Sequence, residues 1–442
     1  MGGFHDGVSD SILYPFDYPY RANYRSVVSM PGQDPAPYEE EIKRNGYATS
    51  FERQTIFLTG STGSLGGCIL YKLATQLPTR RIFVLVRGSS DLAVQKWKKT
   101  MPDHIQAIVN TKKIHFIIGD IRKSDFGIDP AVLEQLREQV TLVIHAAARI
   151  KLDANISEAL ENNCLPALEL ARIASRFRRL RLFIQISTAY ANSFLPDGHV
   201  AERLYSISDE DPEEELASIQ ATGFSPHTDR FSSSYTQAKY LMERLTFKRY
   251  PTLPVLFVRP TIFGPAVRDP YPLYGPEDST PLTKFSTLYF EDQGGTQIWH
   301  AAEGYRSGAN ILDEIPVDFV ANACLLHAAA GTRGIVHVGA QLYVRLTFDE
   351  ILAICRAHAP EELRNELPTI VFVEDRSTPQ HILAELVKVG TRNWLFDCGR
   401  SYWLKQLGGP LSLAVCQHDS DKLASARTKV AYEKVLRRTG KL

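Results

Sequence analysis

A short apolar run, a glycine-rich turn and an amphipathic helix follow one another directly near the start of the chain, and this order restricts the possible folds. Thr55–Thr59 is the apolar run, residues 60–66 carry three glycines spaced Gly-x-x-Gly-x-x-Gly, and apolar residues recur at helical spacing as far as Leu77. A buried strand that turns tightly into a helix is the opening unit of many α/β sheets. In this context the backbone of the turn can approach a bound pyrophosphate, so the sequence predicts a dinucleotide site.

Further apolar runs extend this pattern along the chain. They lie at 82–86, 114–118, 142–145, 182–186, 255–258 and near 335–338, with helical patterns at 160–177, 233–249 and 347–358. Continuous apolar strands that alternate with amphipathic helices are typical of a parallel sheet covered on both faces. The predicted fold class is therefore α/β, with a doubly wound, Rossmann-type parallel sheet and a smaller mixed C-terminal region.

Composition shifts divide the 442 residues into four predicted parts. Residues 1–53, rich in Tyr and Pro, form an irregular N-terminal arm, which either packs on the body through its aromatic side chains or is a disordered tail. Residues 54–260 form a dinucleotide-binding Rossmann domain, predicted below to bind NADP, and residues 261–350 form a substrate-binding insertion with closing α/β elements. The role of residues 351–442 cannot be assigned from the sequence.

Charge and cysteine usage exclude several classes of function. The chain has 50 Lys and Arg against 50 Asp and Glu, so no global basic field exists to bind nucleic acid. No apolar run approaches the roughly 18 residues of a transmembrane helix. The six cysteines form no Cys-x-x-Cys pair or His/Cys cluster, and the N-terminus has no secretory signal pattern. These features predict a cytoplasmic protein with reduced thiols and without a metal site.

The residue after the second apolar run indicates which dinucleotide is bound. An acidic residue there would accept hydrogen bonds from the ribose of NAD, but this chain has Arg87 followed by Gly88 and Ser89. A guanidinium group suits the 2′-phosphate of NADP. The predicted cofactor is therefore NADPH, and the alternative is an ordinary surface arginine at a strand end.

Tyr235 and Lys239 are candidates for proton transfer. They are four residues apart on a predicted helix and so project from the same face. A free phenol has a pKa near 10, and a nearby ammonium group would favour the phenolate. Ser187 and Thr188 end the fifth apolar run, where a hydroxyl would meet both the tyrosine and a substrate oxygen. A bare Tyr-x-x-x-Lys is weak evidence, but in this order it favours a reductase or dehydrogenase.

Several motifs in the same order carry a resemblance to a known family. They are the turn at 59–66, Gly119-Asp120-Ile121, His145-Ala146-Ala147-Ala148, the run at 187–192, Tyr235 with Lys239, Arg259-Pro260-Thr261 and Ile315-Pro316-Val317-Asp318. With these motifs, about residues 53–350 resemble the extended short-chain dehydrogenase/reductases. Within them the chain is most similar to the thioester-reductase branch, which includes fatty acyl-CoA reductases and the terminal reductase domains of carboxylate reductases and peptide synthetases.

The resemblance implies roles for four catalytic residues. Thr188 would polarise the substrate carbonyl, Tyr235 would donate the proton, and Lys239 would tune Tyr235 and hold the nicotinamide ribose. Asn163 matches an asparagine that supports a proton-relay water. Pro166 replaces a small residue that is usual in the family, so the sequence around Asn163 departs from the family pattern.

The resemblance also implies a set of cofactor contacts. They are Gly60, Thr62, Gly63, Ser64, Leu65, Gly66, Arg87, Asp120, Ile121, Ala146, Ala147, Tyr235, Lys239, Pro260 and Thr261. Asp120 and Ile121 would flank the adenine, and the two alanines would leave room for the cofactor backbone, although close packing explains them equally well. His145 is predicted to be a packed residue without a role in proton transfer.

The predicted function is NADPH-dependent reduction of an acyl thioester, either an acyl-CoA or a carrier-bound acyl group, to an aldehyde and possibly on to an alcohol. The partly aromatic segment 259–312 is where the family places the acyl pocket, and the alternative is an ordinary packed cap. A free-standing reductase of this kind is expected in specialised metabolism. The chain length of the acyl group, its thiol carrier and the oligomeric state stay open.

Two other functions remain as alternatives. One is an epimerase, dehydratase or hydroxysteroid-type dehydrogenase of the same fold, which would share the glycines and the Tyr235/Lys239 pair. Those enzymes generally favour NAD, so Arg87 argues against them. The other is a non-enzymatic subunit that keeps its dinucleotide, and the presence of both Tyr235 and Lys239 argues against it.

Overall fold

The computed structural model describes residues 36–151, 153–276, 279–292, 294–415, 417–438 and 440. Most of the predicted N-terminal arm, including its tyrosines up to Tyr24, lies outside these residues. The described end of the arm contains a short helix, α1 (Glu39–Asn45). Three glutamates open this helix and two basic residues close it, which complements the helix dipole, and Gly46 ends it with a φ of 75°.

The strands of the described residues are, in chain order, β1 (Thr55–Thr59), β2 (Arg81–Val86), β3 (Ile114–Ile118), β4 (Leu142–His145), β5 (Leu182–Ile186), β6 (Gly198–Val200), β7 (Val255–Pro260), β8 (Ile262–Gly264), β9 (Thr296–His300), β10 (Glu314–Pro316), β11 (Gly334–Val338), β12 (Thr369–Val373) and β13 (Trp394–Phe396). Seven of them form one sheet in the order β11-β7-β5-β4-β1-β2-β3. Every pairing in this sheet is parallel. The predicted Rossmann-type parallel sheet is confirmed.

The helices after α1 are α2 (Ser64–Tyr71), α3 (Ser90–Thr100), α4 (Ile105–Asn110), α5 (Pro130–Gln139), α6 (Ile156–Ala159), α7 (Leu165–Ala174), α8 (Pro212–Thr222), α9 (Ser234–Arg249), α10 (Pro281–Glu291), α11 (Val317–Ala330), α12 (Phe348–His358), α13 (Glu361–Arg364), α14 (Ile382–Leu386) and α15 (Gln417–Arg438). π-type turns at Lys72–Gln76 and Leu160–Cys164 extend α2 and precede α7. No helix of the described part of the chain is long and apolar enough to cross a membrane.

Helices cover both faces of the sheet, which explains its continuous apolar strands. Along β1, Ile56 and Leu58 belong to a core shared with α2 and α11, whereas Phe57 belongs to a second core with α7 and α9. This alternation follows the two-residue repeat of a strand. Each such side chain contributes about 1.5–3 kcal/mol on full burial, so β1 anchors both halves of the molecule.

The acidic run at 209–215 holds helix α8 against helix α9. Asp211 caps α8, and Pro212 follows at a position where a missing N–H costs nothing. Glu213 pairs with Arg249, while Glu215 is buried and accepts hydrogen bonds from Ser225 and Gln237. Several residues of the run therefore have a structural role, because they begin α8 and fix it to its neighbours.

The segment 259–312, which the sequence leaves as irregular, contains β8, α10 and β9. Apolar residues of α10 join Trp299 and Phe348 in a third hydrophobic cluster, which α15 covers with Ala431 and Val435. The C-terminal part pairs with this segment through β12 and β9, and with the earlier strand β6 through β13. The proposed division into domains stays a prediction.

Candidate active site

The predicted site residues follow the carboxyl ends of neighbouring strands. The glycine turn follows β1, Arg87 follows β2, Asp120 follows β3, Ala146 and Ala147 follow β4, Thr188 follows β5, and Pro260 and Thr261 lie at the end of β7. Chain connections leave the sheet in opposite directions on the two sides of the β1–β4 pair. A crevice at such a switch point is where doubly wound sheets bind ligands.

The turn after β1 requires glycine at two of its positions. Gly60 has a φ of 77°, and a Cβ atom there would lie 2.5 Å from the backbone nitrogen of Ala147. A Cβ atom on Gly66 would lie 2.1 Å from the carbonyl oxygen of Gly60. Gly63 precedes the helix, and its N–H donates to the Gly60 carbonyl at 2.9 Å. The turn is thus fixed where a pyrophosphate would meet the N-terminus of α2.

Two buried side chains support this turn from behind. The indole N–H of Trp97 donates to the carbonyl of Ser61 at 3.0 Å, and the hydroxyl of Tyr274 donates to the carbonyl of Ser64 at 3.0 Å. Thr62 and Ser64 are half-buried, Gly63 is exposed, and Leu65 is buried in the core. Thr62, Gly63 and Ser64 are therefore accessible to a ligand, whereas the side chain of Leu65 anchors the helix.

Charged groups lie at the predicted adenine end of the crevice. Arg87 is exposed, and Ser89 caps α3 by accepting a hydrogen bond from the backbone N–H of Leu92 at 3.2 Å. Asp120 is half-buried, and its hydrogen bonds from Arg122, with a smaller contribution from the charge of Arg87, lower the pKa of its carboxyl group. Asp120 is consequently ionised at neutral pH near a guanidinium group.

The wall after β4 is held by β1. The hydroxyl of Thr59 lies 2.6 Å from Nδ1 of His145 and 3.4 Å from the backbone nitrogen of Ala147. Burial, assisted by the charge of Lys239, lowers the pKa of His145 to about 3, so its imidazole is neutral. His145 is a buried residue that contacts the wall of the crevice, which agrees with its predicted packing role.

Thr188, Tyr235 and Lys239 are brought together where helix α9 meets the end of β5. Thr188 is buried and accepts a hydrogen bond from the backbone N–H of Tyr190 at 3.3 Å. Ser233 caps α9, so Tyr235 lies in its first turn. One turn further, the ammonium group of Lys239 donates to the carbonyl of Ile186 at 2.9 Å and lies 5.8 Å from the centre of the Tyr235 ring. α9 is thereby fixed to the strand that carries Thr188.

Burial sets the protonation states of this pair. It lowers the pKa of Lys239 to about 8, while the carboxylate of Glu243 acts in the opposite direction. Burial also raises the pKa of Tyr235 above its usual value. The sequence led us to expect a phenol closer to neutral pH through the nearby ammonium group. The structure instead gives a protonated phenol beside a largely protonated lysine, an arrangement suited to donating a proton.

A buried ion pair behind Lys239 was missed by sequence reasoning. Glu243 lies one turn beyond Lys239 on α9, and its side chain and that of Arg259 are each 1% exposed. Arg259 donates through Nε to Glu243 at 2.9 Å, makes a second contact through Nη2, and donates through Nη1 to the carbonyl of Arg203 at 2.9 Å. In the sequence, the four-residue spacing of Tyr235, Lys239 and Glu243 was the signal that could have identified Glu243.

Asn163 holds the loop that follows β4. Its Oδ1 accepts from the backbone N–H of Arg149 at 3.0 Å, and its Nδ2 donates to the carbonyls of Arg149 at 3.1 Å and Ala159 at 3.2 Å. It lies in a π-type turn that ends just before Pro166, which cannot donate a backbone hydrogen bond and occupies the first turn of α7. The water-relay role of Asn163 stays a prediction.

Pro260 and Thr261 lie on the other side of β5 from the glycine turn. Both are buried, and the backbone N–H of Thr261 donates to the carbonyl of Val338 at 3.1 Å, which fixes it to β11. Their contact with a cofactor stays a prediction.

The aromatic residues expected at an acyl pocket are packed instead. Trp299, Phe290, Tyr289 and Tyr274 are all buried. Trp299, Phe290 and Tyr289 belong to the third hydrophobic cluster, whereas Tyr274 supports the glycine turn. These side chains therefore fit the alternative of a packed cap. Within the described residues, no group of three or more His, Cys, Asp or Glu could hold a metal ion, and the five described cysteines are buried.

Comparisons with known proteins agree with the family resemblance. Mouse (Mus musculus) fatty acyl-CoA reductase 2 is 29% identical over 247 residues, which cover 51% of this chain and 46% of that protein. The chain thus spans about half the length of the curated relatives it matches.

Solved structures share the fold. The terminal R domain from the myxalamid PKS-NRPS biosynthetic pathway has a TM-score of 0.60 and 21% identity, over 88% of this chain and 92% of that one. A UDP-glucuronic acid 4-epimerase from Bacillus cereus, in complex with NAD, has a TM-score of 0.53 and 16% identity, over 86% of this chain and 99% of that one. At such identities the likeness concerns the fold alone.

The family assignment rests on a match across the sheet and site described above. The profile of an NAD-binding family described as male sterility protein matches residues 58–324, more than half of the chain. The match includes the glycine turn, Thr188, Tyr235 and Lys239, and it supports a nicotinamide cofactor for this chain. The chain belongs to the male sterility protein family of NAD-binding domains.

Proposed function

We propose that this protein reduces an acyl thioester to an aldehyde with NADPH. The observation that carries the proposal is the convergence of Thr188, Tyr235 and Lys239 at the end of β5, beside a glycine turn built for a dinucleotide. The fatty acyl-CoA reductases among the curated relatives support the choice of a thioester as the substrate.

The residues of the crevice fit the proposed cofactor. Gly60 and Gly66 have no Cβ atom, and a Cβ atom at either position would collide with neighbouring backbone atoms. The hydroxyl oxygen of Ser64 has no hydrogen-bond partner among the described residues. Arg87 is exposed at the end of β2, where a guanidinium group would face a 2′-phosphate. Bound NADPH would supply the hydride, and the preference for NADPH over NADH is part of this proposal.

Tyr235 and Thr188 would act on the substrate oxygen. Both hydroxyls can donate to an oxyanion that develops when the thioester carbonyl is reduced, and a preorganised pair of donors is an effective way to stabilise it. Tyr235 would transfer its proton to that oxygen, which its raised pKa permits because the phenol is protonated at neutral pH. Lys239, fixed by the carbonyl of Ile186, would keep a positive charge next to the phenol.

The reaction balances as one hydride and one proton added to the thioester, giving an aldehyde and a free thiol. Reduction of the carbonyl gives a hemithioacetal, and breaking its carbon–sulfur bond releases the thiol. A second round at the aldehyde carbonyl would give an alcohol with the same residues. The thiol carrier, a cytoplasmic location and a place in specialised metabolism stay predictions.

Absorbance at 340 nm tests the proposal with purified protein, NADPH or NADH, and a panel of acyl-CoAs and carrier-loaded thioesters. We expect oxidation of NADPH together with an aldehyde or alcohol that can be trapped and identified. The ratio of NADPH oxidised to thiol released distinguishes one reduction from two. Turnover of a nucleotide sugar or a ketone, without turnover of any thioester, would contradict the proposal and favour the epimerase or dehydrogenase alternative.

A further inference from the structure

A cavity of about 260 Å³ opens next to the predicted catalytic residues and has no role in the chemistry described so far. Its walls come from the turn that contains Ser193, from the segment 229–232, and from the C-terminal segment between Arg376 and Trp394. Phe231 and Trp394 are the buried aromatic side chains of its lining. Charged residues from both walls line it as well, so the cavity combines buried aromatic side chains with a rim of exposed charged ones.

One wall of the cavity is formed by the chain segments that carry the predicted catalytic residues. Ser193 closes the short turn that begins at Thr188, and its hydroxyl oxygen accepts a hydrogen bond from the backbone N–H of Ser232 at 3.0 Å. Ser232 is followed by the residue that caps α9, and Tyr235 lies in the first turn of that helix. The cavity therefore borders the chain segments that carry Thr188 and Tyr235.

Trp394 forms a fixed wall beside these segments. The pairing of β13 with β6 brings it to the site, and its indole N–H donates to the carbonyl of Leu195 at 3.1 Å. Its ring meets that of Tyr190 edge-on, with centroids 5.8 Å apart. The guanidinium carbon of Arg392 lies 4.3 Å from the centre of the Trp394 ring, and Arg392 pairs with Asp197, so its charge is already compensated. Arg392 lines the cavity as well, so this wall presents an indole ring together with a paired guanidinium group.

Two further arginines stand at the rim. Arg230 is exposed and makes no ion pair with any described residue. Arg376, also exposed, approaches from the other wall and donates to the carbonyl of Ala301 at 2.7 Å. Asp229 and Glu385 line the cavity too, so the rim is not uniformly positive. Guanidinium groups match phosphate oxygens in geometry and keep their charge at every accessible pH.

We propose that this cavity receives the phosphate-bearing arm of the thioester donor, with Arg230 and Arg376 at its phosphate and Trp394 and Phe231 along its pantetheine stem. This inference rests on the proposed function, since it assumes that the acyl group is delivered as a thioester of phosphopantetheine. Coenzyme A and a carrier protein both provide this chemistry. The assignment gives residues 376–394, for which the sequence offered no role, a part in holding the substrate.

A matched pair of variants tests the assignment. Arg230→Gln removes a rim charge, and Arg179→Gln removes an exposed arginine that precedes β5 and so lies towards the amino ends of the strands, away from the cavity lining. Calorimetry with coenzyme A, and KM values for acyl-CoA, for carrier-bound acyl thioester and for the phosphate-free N-acetylcysteamine thioester, are measured for both variants. Thermal unfolding checks that both variants are folded.

We expect Arg230→Gln to weaken coenzyme A binding and to raise KM for the phosphate-bearing donor about fivefold, as for a partly exposed charge-assisted contact. KM for NADPH and for the N-acetylcysteamine thioester should not change, and Arg179→Gln should behave as the wild type. A loss confined to the carrier-bound substrate would identify the carrier as the source.

Two results separate the failure of this inference from the failure of the proposed function. Thioester turnover by the wild type, with equal affinities in Arg230→Gln or an equal loss on the phosphate-free substrate, would overturn the cavity assignment and leave the function intact. A lack of turnover with every thioester would remove the function. The calorimetry with coenzyme A and with the phosphopantetheine-loaded carrier would then decide the assignment alone, and binding of neither would overturn it.

Discussion

Replacing Glu243 with glutamine tests how the interior of the protein controls the proton-transfer pair. The substitution keeps the shape of the side chain but removes the only charge that faces the Arg259 guanidinium within the described ion pairs. It also removes the carboxylate that raises the pKa of Lys239 against the effect of burial. One change should therefore affect both stability and the pH dependence of activity.

The expected loss of stability follows from the burial of the pair. Both side chains are 1% exposed, so water cannot screen the guanidinium charge that remains after the substitution. Breaking a buried pair costs about 3–5 kcal/mol. The glutamine oxygen can still accept one hydrogen bond, and the contact of Arg259 with the carbonyl of Arg203 persists, so we expect a loss of about 3 kcal/mol.

The change in pH dependence has a definite sign. Lys239 loses its proton as the pH rises through about 8, so kcat/KM, which reports the free enzyme, should fall on the alkaline side. Without the Glu243 carboxylate the pKa of Lys239 is lower. The alkaline loss of activity should therefore begin at lower pH in Glu243→Gln than in the wild type.

Urea titration and the pH profile of kcat/KM measure the two effects. Asp269→Asn is the matched control, because Asp269 pairs at 2.7 Å with the fully buried Lys72, which lies in the π-type turn after α2 and not on α9. The control should lower the free energy of unfolding without shifting the pH at which kcat/KM falls on the alkaline side. An unchanged free energy of unfolding in Glu243→Gln, or an alkaline fall in kcat/KM at the wild-type pH, would show that Glu243 does not control Arg259 and Lys239 in this way.

Two further predictions concern cofactor binding. Gly66→Ala would place a Cβ atom 2.1 Å from the Gly60 carbonyl oxygen, so the turn must open and NADPH affinity measured by fluorescence should fall about tenfold or more, whereas Gly408→Ala, with open space around it, should bind normally. Equal affinities for both variants would contradict the role of the turn. Arg87→Gln should lower the NADPH affinity about tenfold and leave NADH binding unchanged, and an unaltered NADPH-to-NADH ratio would exclude Arg87 from 2′-phosphate recognition.

The central sheet could be predicted from the sequence because its strands are buried on both faces. Five-residue apolar runs such as Thr55–Thr59 and Leu182–Ile186 can be recognised as strands from their own residues, without knowledge of the strands beside them. The short strands β6 and β13 carry no such signal. Each has three residues, and they pair across nearly 200 positions of chain, so only the folded molecule brings Trp394 beside Tyr190.

The grouping of the candidate catalytic residues was predictable for a related reason. Tyr235 and Lys239 are four residues apart on one helix, and Thr188 ends a recognisable strand, so local spacing and strand order place them together. The ion pair of Glu243 with Arg259 joins a helix to a strand, and no local pattern pairs those two residues. Burial likewise cannot be read from spacing, which is why the raised pKa of Tyr235 was not anticipated.

The structure also changes the interpretation of the C-terminal part. Sequence patterns gave residues 351–442 no assignment, yet α15 packs on the third hydrophobic cluster and β13 borders the cavity beside the catalytic turn. For the aromatic residues of the insertion, the interpretation also changes. Their composition resembled that of a binding pocket, but their side chains fill a core.

We propose that Tyr235 supplies the proton when a thioester is reduced in this crevice. A comparison of wild type and Tyr235→Phe tests this role under single-turnover conditions with NADPH and an acyl thioester accepted by the wild type, following absorbance at 340 nm and trapping the aldehyde. We expect NADPH oxidation with an equal amount of trapped product in the wild type, and normal NADPH binding without product in the variant. Product formation by Tyr235→Phe at the wild-type rate would contradict it.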